Sequence, residues 1–417
     1  MSIVPTVAPE PIYFEEYFSR RVKLTERSSE QIAYLLKSAD NAQSSLYRQE
    51  ANFFYFTGIL QSPCFLLIVP NGVKVDGQTF TTVFFTRDNL LLQERPLIES
   101  KGETVVNVSR LSEIMSVVYP TLDTLFVSIP EIPVRYTDWL NNEQVDFLAL
   151  STEKLRERYP RLEVRPFRSL GSMRQIKSEA EIALIRHAID VTEEAIRRIW
   201  QATAPGVTEN ALQGIMHYVF SKYDAREYAF YPIIASGVNA LQPHYHDNNF
   251  VAKYGEMLKV DIGARFRGYC ADITRSFPVS GRFTPEQREV YSVVLDIQRR
   301  LIEHVRPGVT KGEINRLSDR LLTEAGYIQY RLHAVTHHIG IEVHDFETDT
   351  IFRAGNVITI EPGIYIPADA YELPVGFRGM GIRIEDVVLV TETGNEVLSK
   401  RIPKEIDEIE AAMRRRR

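Results

Sequence analysis

The chain has little cysteine. Cys64 and Cys270 are the only two in 417 residues. That is too few for a disulfide framework, and a reducing cytoplasm is the expected compartment. Long apolar runs are missing too. The longest are short, as in Cys64 to Val69, whereas a bilayer-spanning helix needs about 20 residues. The opening MSIVPTVAPEP has no basic region followed by an apolar run, so no signal peptide is expected. Positive charge is not in excess. A net charge of −6 gives no electrostatic reason to expect nucleic acid or a membrane as partner. No Gly-rich phosphate loop follows any strand-like run. That disfavours a nucleotide domain and, with it, redox or phosphoryl-transfer chemistry.

What is present suits a soluble globular protein, with 44% hydrophobic and 25% charged residues. The length suits two domains. After a Pro-containing lead, Tyr17, Phe18, Val22 and Leu24 recur at helical spacing. The aromatic-dense SLYRQEANFFYFTGI, Ser45 to Ile59, reads as a buried strand and a turn. FLLIVP, TTVFFT, TLFVSIP and LEVRPF read as strands. Arg87 to Glu99, Ser109 to Tyr119 and Ser151 to Tyr159 read as helices. This alternation predicts a small α/β domain with a partly parallel sheet. The pattern changes near Ser169–Lys177. Ser178-Glu-Ala-Glu181 is a capping box, and Ile182, Ile185, Ala188, Ile189, Ile196 and Ile199 follow at helical spacing. The expected domains are therefore 1–172 and 173–417.

The second part repeats itself. Pro205-Gly-Val-Thr208 and Pro307-Gly-Val-Thr310 lie 102 residues apart, each between two helical patterns. Histidines follow each (His244 and His246; His333, His337, His338 and His344), then a strand with an acid, LKVDIG or VITIEPG. Those acids, Asp261 and Glu361, are 100 residues apart. Each half then supplies a second acid, Asp272 or Glu385. Self-similarity at a fixed offset predicts two α/β halves about a pseudo-two-fold. Asp261 and Asp272 read as lying on a β-hairpin. A turn centred between Phe266 and Arg267 would set them opposite each other, Cβ atoms roughly 5 Å apart. Carboxylates that close repel unless a proton or cation lies between them. Four acids in apolar strands are costly to bury unpaired. Carboxylates with one histidine suit Mn²⁺, or Zn²⁺ and Co²⁺. Two such ions roughly 3.5–4 Å apart can hold and activate a water, which is chemistry for amide hydrolysis.

VDIG…DITRSFPVSGRF, HHIGIEVHD, TIEPGIYI and GMGIRIEDVVLV resemble the motifs of the pita-bread metallopeptidases, which include aminopeptidase P, prolidase and methionine aminopeptidase. The resemblance covers residues 175–400. It implies a pita-bread catalytic domain behind a creatinase-like α/β domain. By the resemblance, Asp261, Asp272, His337, Glu361 and Glu385 bind two metal ions, with Asp272 and Glu385 bridging. Asp261 would also help place the peptide's amine, and Glu361 would shuttle the proton of a metal-bridging water. His244, His333 and His344 match substrate histidines, His344 at the developing oxyanion. Tyr365 and Arg383 match substrate or supporting positions. His246 and His338 have no match and read as structural. His338 stands where an aromatic residue often follows the ligand histidine.

YRQEANFFYFTG and DITRSFP lean toward aminopeptidase P, which removes the residue before a proline. The alternatives are a prolidase acting on Xaa-Pro dipeptides and a metal-free peptide-binding module. The second requires a lost ligand, and none is lost. The resemblance further implies a homodimer or homotetramer with peptides as the other partners. EIDEIEAAMRRRR reads as a final helix whose charge order suits its dipole, with Arg414–Arg417 a solvated end. Cys270, two residues before Asp272, reads as a buried thiol near the ions.

Overall fold

The computed structural model describes residues 4–5, 7–39, 49–60, 64–87, 91, 94–128, 155–167, 171–225, 227–347 and 350–414. The starts of the Ser45–Ile59 and Ser151–Tyr159 stretches, part of Arg87–Glu99, the end of TLFVSIP and Arg415–Arg417 lie outside them. The chain divides into two units. One is Ile12–Leu170. The other is Gly171–Arg417 together with Met1–Pro11.

In the first unit, helix α1 (Phe14–Glu26) precedes strand β1 (Ile32–Lys37) and helix α2 (Ala51–Thr57). Then come β2 (Cys64–Val75), β3 (Gln78–Thr86), α3 (Arg95–Ser100), β4 (Thr104–Asn107), α4 (Leu111–Val118), β5 (Thr124–Ser128) and β6 (Glu163–Pro166). The strands form one sheet in the order β4-β3-β2-β1-β5-β6. Three of its pairings are parallel, β1 with β5, β3 with β4 and β5 with β6. Leu67, Val83, Phe85 and Leu125 build its core with Ile114 and Met115 of α4. The aromatic segment is a helix, not a strand. Aromatic side chains favour strands only as a weak prior, and caps at both ends override it here. The Glu50 carboxylate accepts from the backbone N–H groups of Asn52 and Phe53, and Gly58 closes the helix in the left-handed conformation.

The second unit carries the repeat. Helices α5 (Glu179–Ala202) and α6 (Glu209–Lys222) flank the first Pro-Gly-Val-Thr. Helices α7 (Pro285–His304) and α8 (Lys311–Glu324) flank the second. Thr208 and Thr310 cap α6 and α8 through their hydroxyls. The copies also bond alike: Thr208 bridges Val251, and Thr310 bridges Ile351. From each bridge the chain enters a strand, β9 (Met257–Ile262) or β13 (Val357–Ile360). The first half adds β7 (Glu227–Tyr228), β8 (Ile233–Ser236), β10 (Ala264–Phe266), β11 (Tyr269–Cys270) and β12 (Ile273–Pro278). The second adds β14 (Gly363–Ile366), β15 (Met380–Arg383), β16 (Asp386–Val390) and β17 (Asn395–Val397), and helix α9 (Ile406–Arg414) ends the described chain. β12-β9-β8 and β13-β16-β17 are corresponding sheets.

The hairpin register differs from the expected one. Ile262 pairs with Ile273, Asp261 with Thr274, and Phe266 with Tyr269. The two central turn residues are Arg267 and Gly268, both at positive φ (46° and 87°), as a type I′ turn requires. The turn therefore centres one residue later than expected. Asp272 lies diagonal to Asp261, not opposite it. Among the described residues no helix is long and apolar enough to cross a membrane.

Candidate metal centre

Each half delivers its acids where a strand is interrupted. Asp261 is the penultimate residue of β9, and Asp272 directly precedes β12. Glu361 directly follows β13, and Glu385 fills the gap between β15 and β16. Gly263 makes the first break possible. A Cβ there would lie 1.9 Å from the Ala271 carbonyl oxygen, so only glycine allows the strands to approach beside Asp272. In the second half Ile360 pairs with Asp386 and Gly363 with Arg383. That common register sets Glu361 opposite Glu385.

His337 comes from the segment before β13. Its Nδ1 lies 3.0 Å from the His338 carbonyl oxygen. A carbonyl only accepts, so Nδ1 carries the proton and Nε2 presents a lone pair. That lone pair lies 3.5 Å from Asp272 Oδ2 and 3.4 Å from Glu361 Oε1. Asp272, His337 and Glu385 can place one ligand atom each within 4.8 Å of one another. Asp261 is drawn in through Arg383. That guanidinium pairs with Asp261 Oδ2 and donates to Thr274 Oγ1 (3.0 Å), which in turn donates to Glu385 Oε2 (2.7 Å).

The electrostatics leave a charge deficit. Burial, then repulsion from Asp261, raises the Asp272 carboxyl far above its ordinary value. Burial, then Asp272 and Glu361, does the same to Glu385. Glu361 is pushed up to about 7, chiefly by burial. Asp261 Oδ1 is buried without a hydrogen-bond partner. Among the described residues Arg383 and Lys259 are the buried Arg and Lys side chains that act on this cluster, and neither closes it. Lys259 is spent on two carbonyls, Ala240 (3.0 Å) and Gln242 (2.7 Å), and burial pushes its ammonium well below its usual value. A lone pair facing carboxylates, an orphaned oxygen and three acids forced toward neutrality fit divalent cations held by oxygen and one imidazole nitrogen.

The remaining predicted residues surround the cluster. His333 gives its Nδ1 proton to Ala334 O (2.8 Å), and its Nε2 accepts from Tyr365 OH (2.7 Å). Burial lowers it to about 3. The Tyr365 hydroxyl also receives Arg383 Nη1 at 3.4 Å. The His344 ring lies 4.2 Å from that of His337, and desolvation, then His337 and His244, lowers it to about 4. Desolvation and Arg383 lower His244 as well. All three imidazoles are thereby held neutral. His338 is buried and bridged to Ile358, whereas His246 is exposed. Cys270 is buried with its thiol on the Ile341 carbonyl.

Three supports escaped the sequence reading. The fully buried Glu209 accepts from Ser236 N and Oγ (2.7 Å each), Asn239 Nδ2 (3.1 Å), Tyr245 OH (2.8 Å) and Phe250 N (3.0 Å). It thereby fixes the segment bearing His244. Asp345, next to His344, is held by Lys177 Nζ (2.9 Å) and by Arg174. Lys259 lies in β9, a strand that is buried on both faces. The signal for Glu209 was its place directly after the capping Thr208. Its partners all lie 27 or more residues away.

Residues 183–392 match the model of metallopeptidase family M24. The chain is 32% identical to the Xaa-Pro aminopeptidase of Escherichia coli K12, over 96% of this chain and 97% of that protein. It is 35% identical to an Xaa-Pro dipeptidase of Pyrococcus horikoshii, over 55% of this chain and 64% of that one. A solved structure of E. coli aminopeptidase P with the inhibitor Pro-Leu superposes with a TM-score of 0.80 at 30% identity, covering 97% of this chain and 99% of that one.

Proposed function

The chain belongs to metallopeptidase family M24, and on that basis we propose that it is an Xaa-Pro aminopeptidase. It hydrolyses the bond between the first residue of a peptide and a proline in second position. The observation that carries this reading is the convergence of Asp261, Asp272, His337, Glu361 and Glu385 in a chain similar to an Xaa-Pro aminopeptidase over nearly its whole length. We place catalysis in residues 173–417 and treat 1–172 as a separate domain.

In this reading the five ligands hold two divalent ions, Mn²⁺ by preference. When bound, such ions supply Lewis-acid polarisation of the scissile carbonyl and a water acidic enough to attack it. The Asp261 carboxylate receives the substrate's free ammonium, oriented by its pairing with Arg383. Glu361 accepts the proton lost by the attacking water and returns it to the proline nitrogen as the C–N bond breaks. His344, held neutral, donates an N–H to the developing oxyanion. Neutral His244 and His333, with Tyr365 behind His333, line the proline ring's pocket. Proline's nitrogen carries no N–H, so the pocket selects shape.

The deciding experiment gives Mn²⁺-loaded protein an Xaa-Pro dipeptide and an Xaa-Pro-Xaa tripeptide side by side. Release of the first residue from the tripeptide is expected. Cleavage of the dipeptide alone would make the chain a dipeptidase, the activity named for the P. horikoshii relative. Cleavage of neither would leave a peptide-binding module. The same proposal puts the protein in the cytoplasm, in keeping with only two cysteines in 417 residues. It assembles as a homodimer or homotetramer, which a monomeric mass in solution would refute.

A further inference from the structure

Tyr231 and His246 have no part in the reading above, yet they continue its site outward. Residues 245–250 run without regular secondary structure, and side-chain direction alternates at their start. Tyr245 is 2% exposed, its hydroxyl bound to the Glu209 carboxylate. The histidines on either side of it, His244 and His246, are both exposed. Their rings are parallel within 7°, with centroids 6.5 Å apart. Tyr231, 44% exposed, meets His246 edge-to-face at 5.3 Å and 84°. Tyr228 meets Tyr231 the same way at 6.2 Å, and His217 stacks behind Tyr228 at 5.8 Å. A row of rings therefore leads away from His244.

The inner end of that row lies within electrostatic reach of the carboxylate cluster. Arg383 and Asp261 both act on His244, and His244 in turn acts on His344. The outer end is in solvent. Glu209 binds Ser236 N, the Tyr245 hydroxyl between the two histidines and Phe250 N, so the segment carrying His244 and His246 is anchored on both sides.

An aminopeptidase substrate has nothing before its first residue. Beyond that residue's own side chain, the peptide extends only toward the leaving side. An extended chain advances about 3.3–3.6 Å per residue, so the step from His244 to His246 spans about two residues. We propose that Tyr231 and His246 form an aromatic subsite for the one or two residues that follow the proline, selecting peptides with an aromatic side chain there. This rests on the aminopeptidase reading. Two rings meeting edge-to-face offer a flat wall for a third ring, in the offset or edge geometry aromatic groups favour.

The test is kinetic. Mn²⁺-loaded wild type, His246→Ala, His246→Phe and Tyr231→Ala are each given Ala-Pro-Phe and Ala-Pro-Ala-Phe, with Ala-Pro-Gly and Ala-Pro-Ala-Gly as references. Wild type is expected to prefer one of the Phe peptides over its Gly counterpart by about tenfold in kcat/KM, the scale of one aromatic pair. The Ala variants lose most of that preference through KM, and His246→Phe retains it. A wild type with no preference, or Ala variants that keep it, would overturn the subsite while leaving the aminopeptidase reading intact. An Ala variant whose rates fall equally on Phe and Gly peptides would overturn it too, as a general disturbance. A wild type that cleaves none of the four peptides would overturn both.

Discussion

Substituting Asp345→Asn removes one buried negative charge and changes almost nothing in shape. The wild-type carboxylate lies between two cations, Arg174 and Lys177, which are 4% and 1% exposed. Burial alone would raise its pKa, but Arg174 and Lys177 pull it down to about 2 from an ordinary 3.8. At 1.36 kcal/mol per unit, the charged form is favoured in the fold by about 2 kcal/mol. Asparagine resembles the protonated acid, so this figure is the lower bound on the cost at neutral pH. Breaking a buried pair typically costs about 3–5 kcal/mol because it strands the partner's charge. Arg174 is not stranded, since Glu342 also accepts from it at 2.6 Å. Lys177 has no such substitute among the ion pairs of the described residues. The expected loss is therefore about 2–4 kcal/mol.

The pH dependence follows with a definite sign. The folded pKa lies below the unfolded one, so the contribution is fully present above about pH 4 and is lost as pH falls through about 2. Urea unfolding at pH 7 should show the variant destabilised by that amount. At pH 2 the gap between the two proteins should narrow to under about 1 kcal/mol, because the wild-type carboxyl is then half protonated and most of its linked stabilisation is gone. A variant as stable as wild type at pH 7, or a gap that persists unchanged at pH 2, would refute this account of the pair.

Asp272→Ala should abolish peptidase activity and lower bound metal measured by elemental analysis; full activity would remove Asp272 from the ligand set. Gly263→Ala forces the strands apart at the Ala271 carbonyl, and metal content should fall although no ligand is changed. A fully metal-loaded Gly263→Ala protein would show that the strands can give way. Chelation should make stability fall with pH between about 4.5 and about 7. Burial raises Glu361 to about 7, so the cation-free fold is favoured at low pH and loses that advantage as pH rises through about 7. Melting temperatures at pH 5 and pH 8, with chelator and with Mn²⁺, should diverge only at the higher pH, and parallel curves would contradict it.

The sequence carried the frame of the second unit further than its details. The Pro-Gly-Val-Thr duplication marked the halves because turn and cap residues are dictated locally, by φ and by one hydroxyl. The type I′ turn at Arg267-Gly268 was equally local, yet its centre was misplaced by one residue, which turned a diagonal pair of aspartates into an opposed one. The aromatic segment before Gly58 failed for another reason. Ring density says that a segment is buried but not in which conformation, and Glu50 and Gly58 decide that. Glu209, Asp345 and Lys259 were out of reach because their partners are distant in sequence. A buried charge shows its meaning only when the groups around it are known.

The acids come two from each half, and Arg275 ties the halves together beneath them. Its guanidinium, fully buried in β12 of the first half, donates to the Glu385 carbonyl in the second and pairs with Asp386 at 2.7 Å. Neither half owns a complete cage, so a bound ion reports how well the two are aligned. Cation affinity becomes a ruler for the seam between the halves. Substitutions along that seam, at Arg275, Ser399 or Lys404 around Asp386, would register as metal-binding defects though none of these side chains meets the ion.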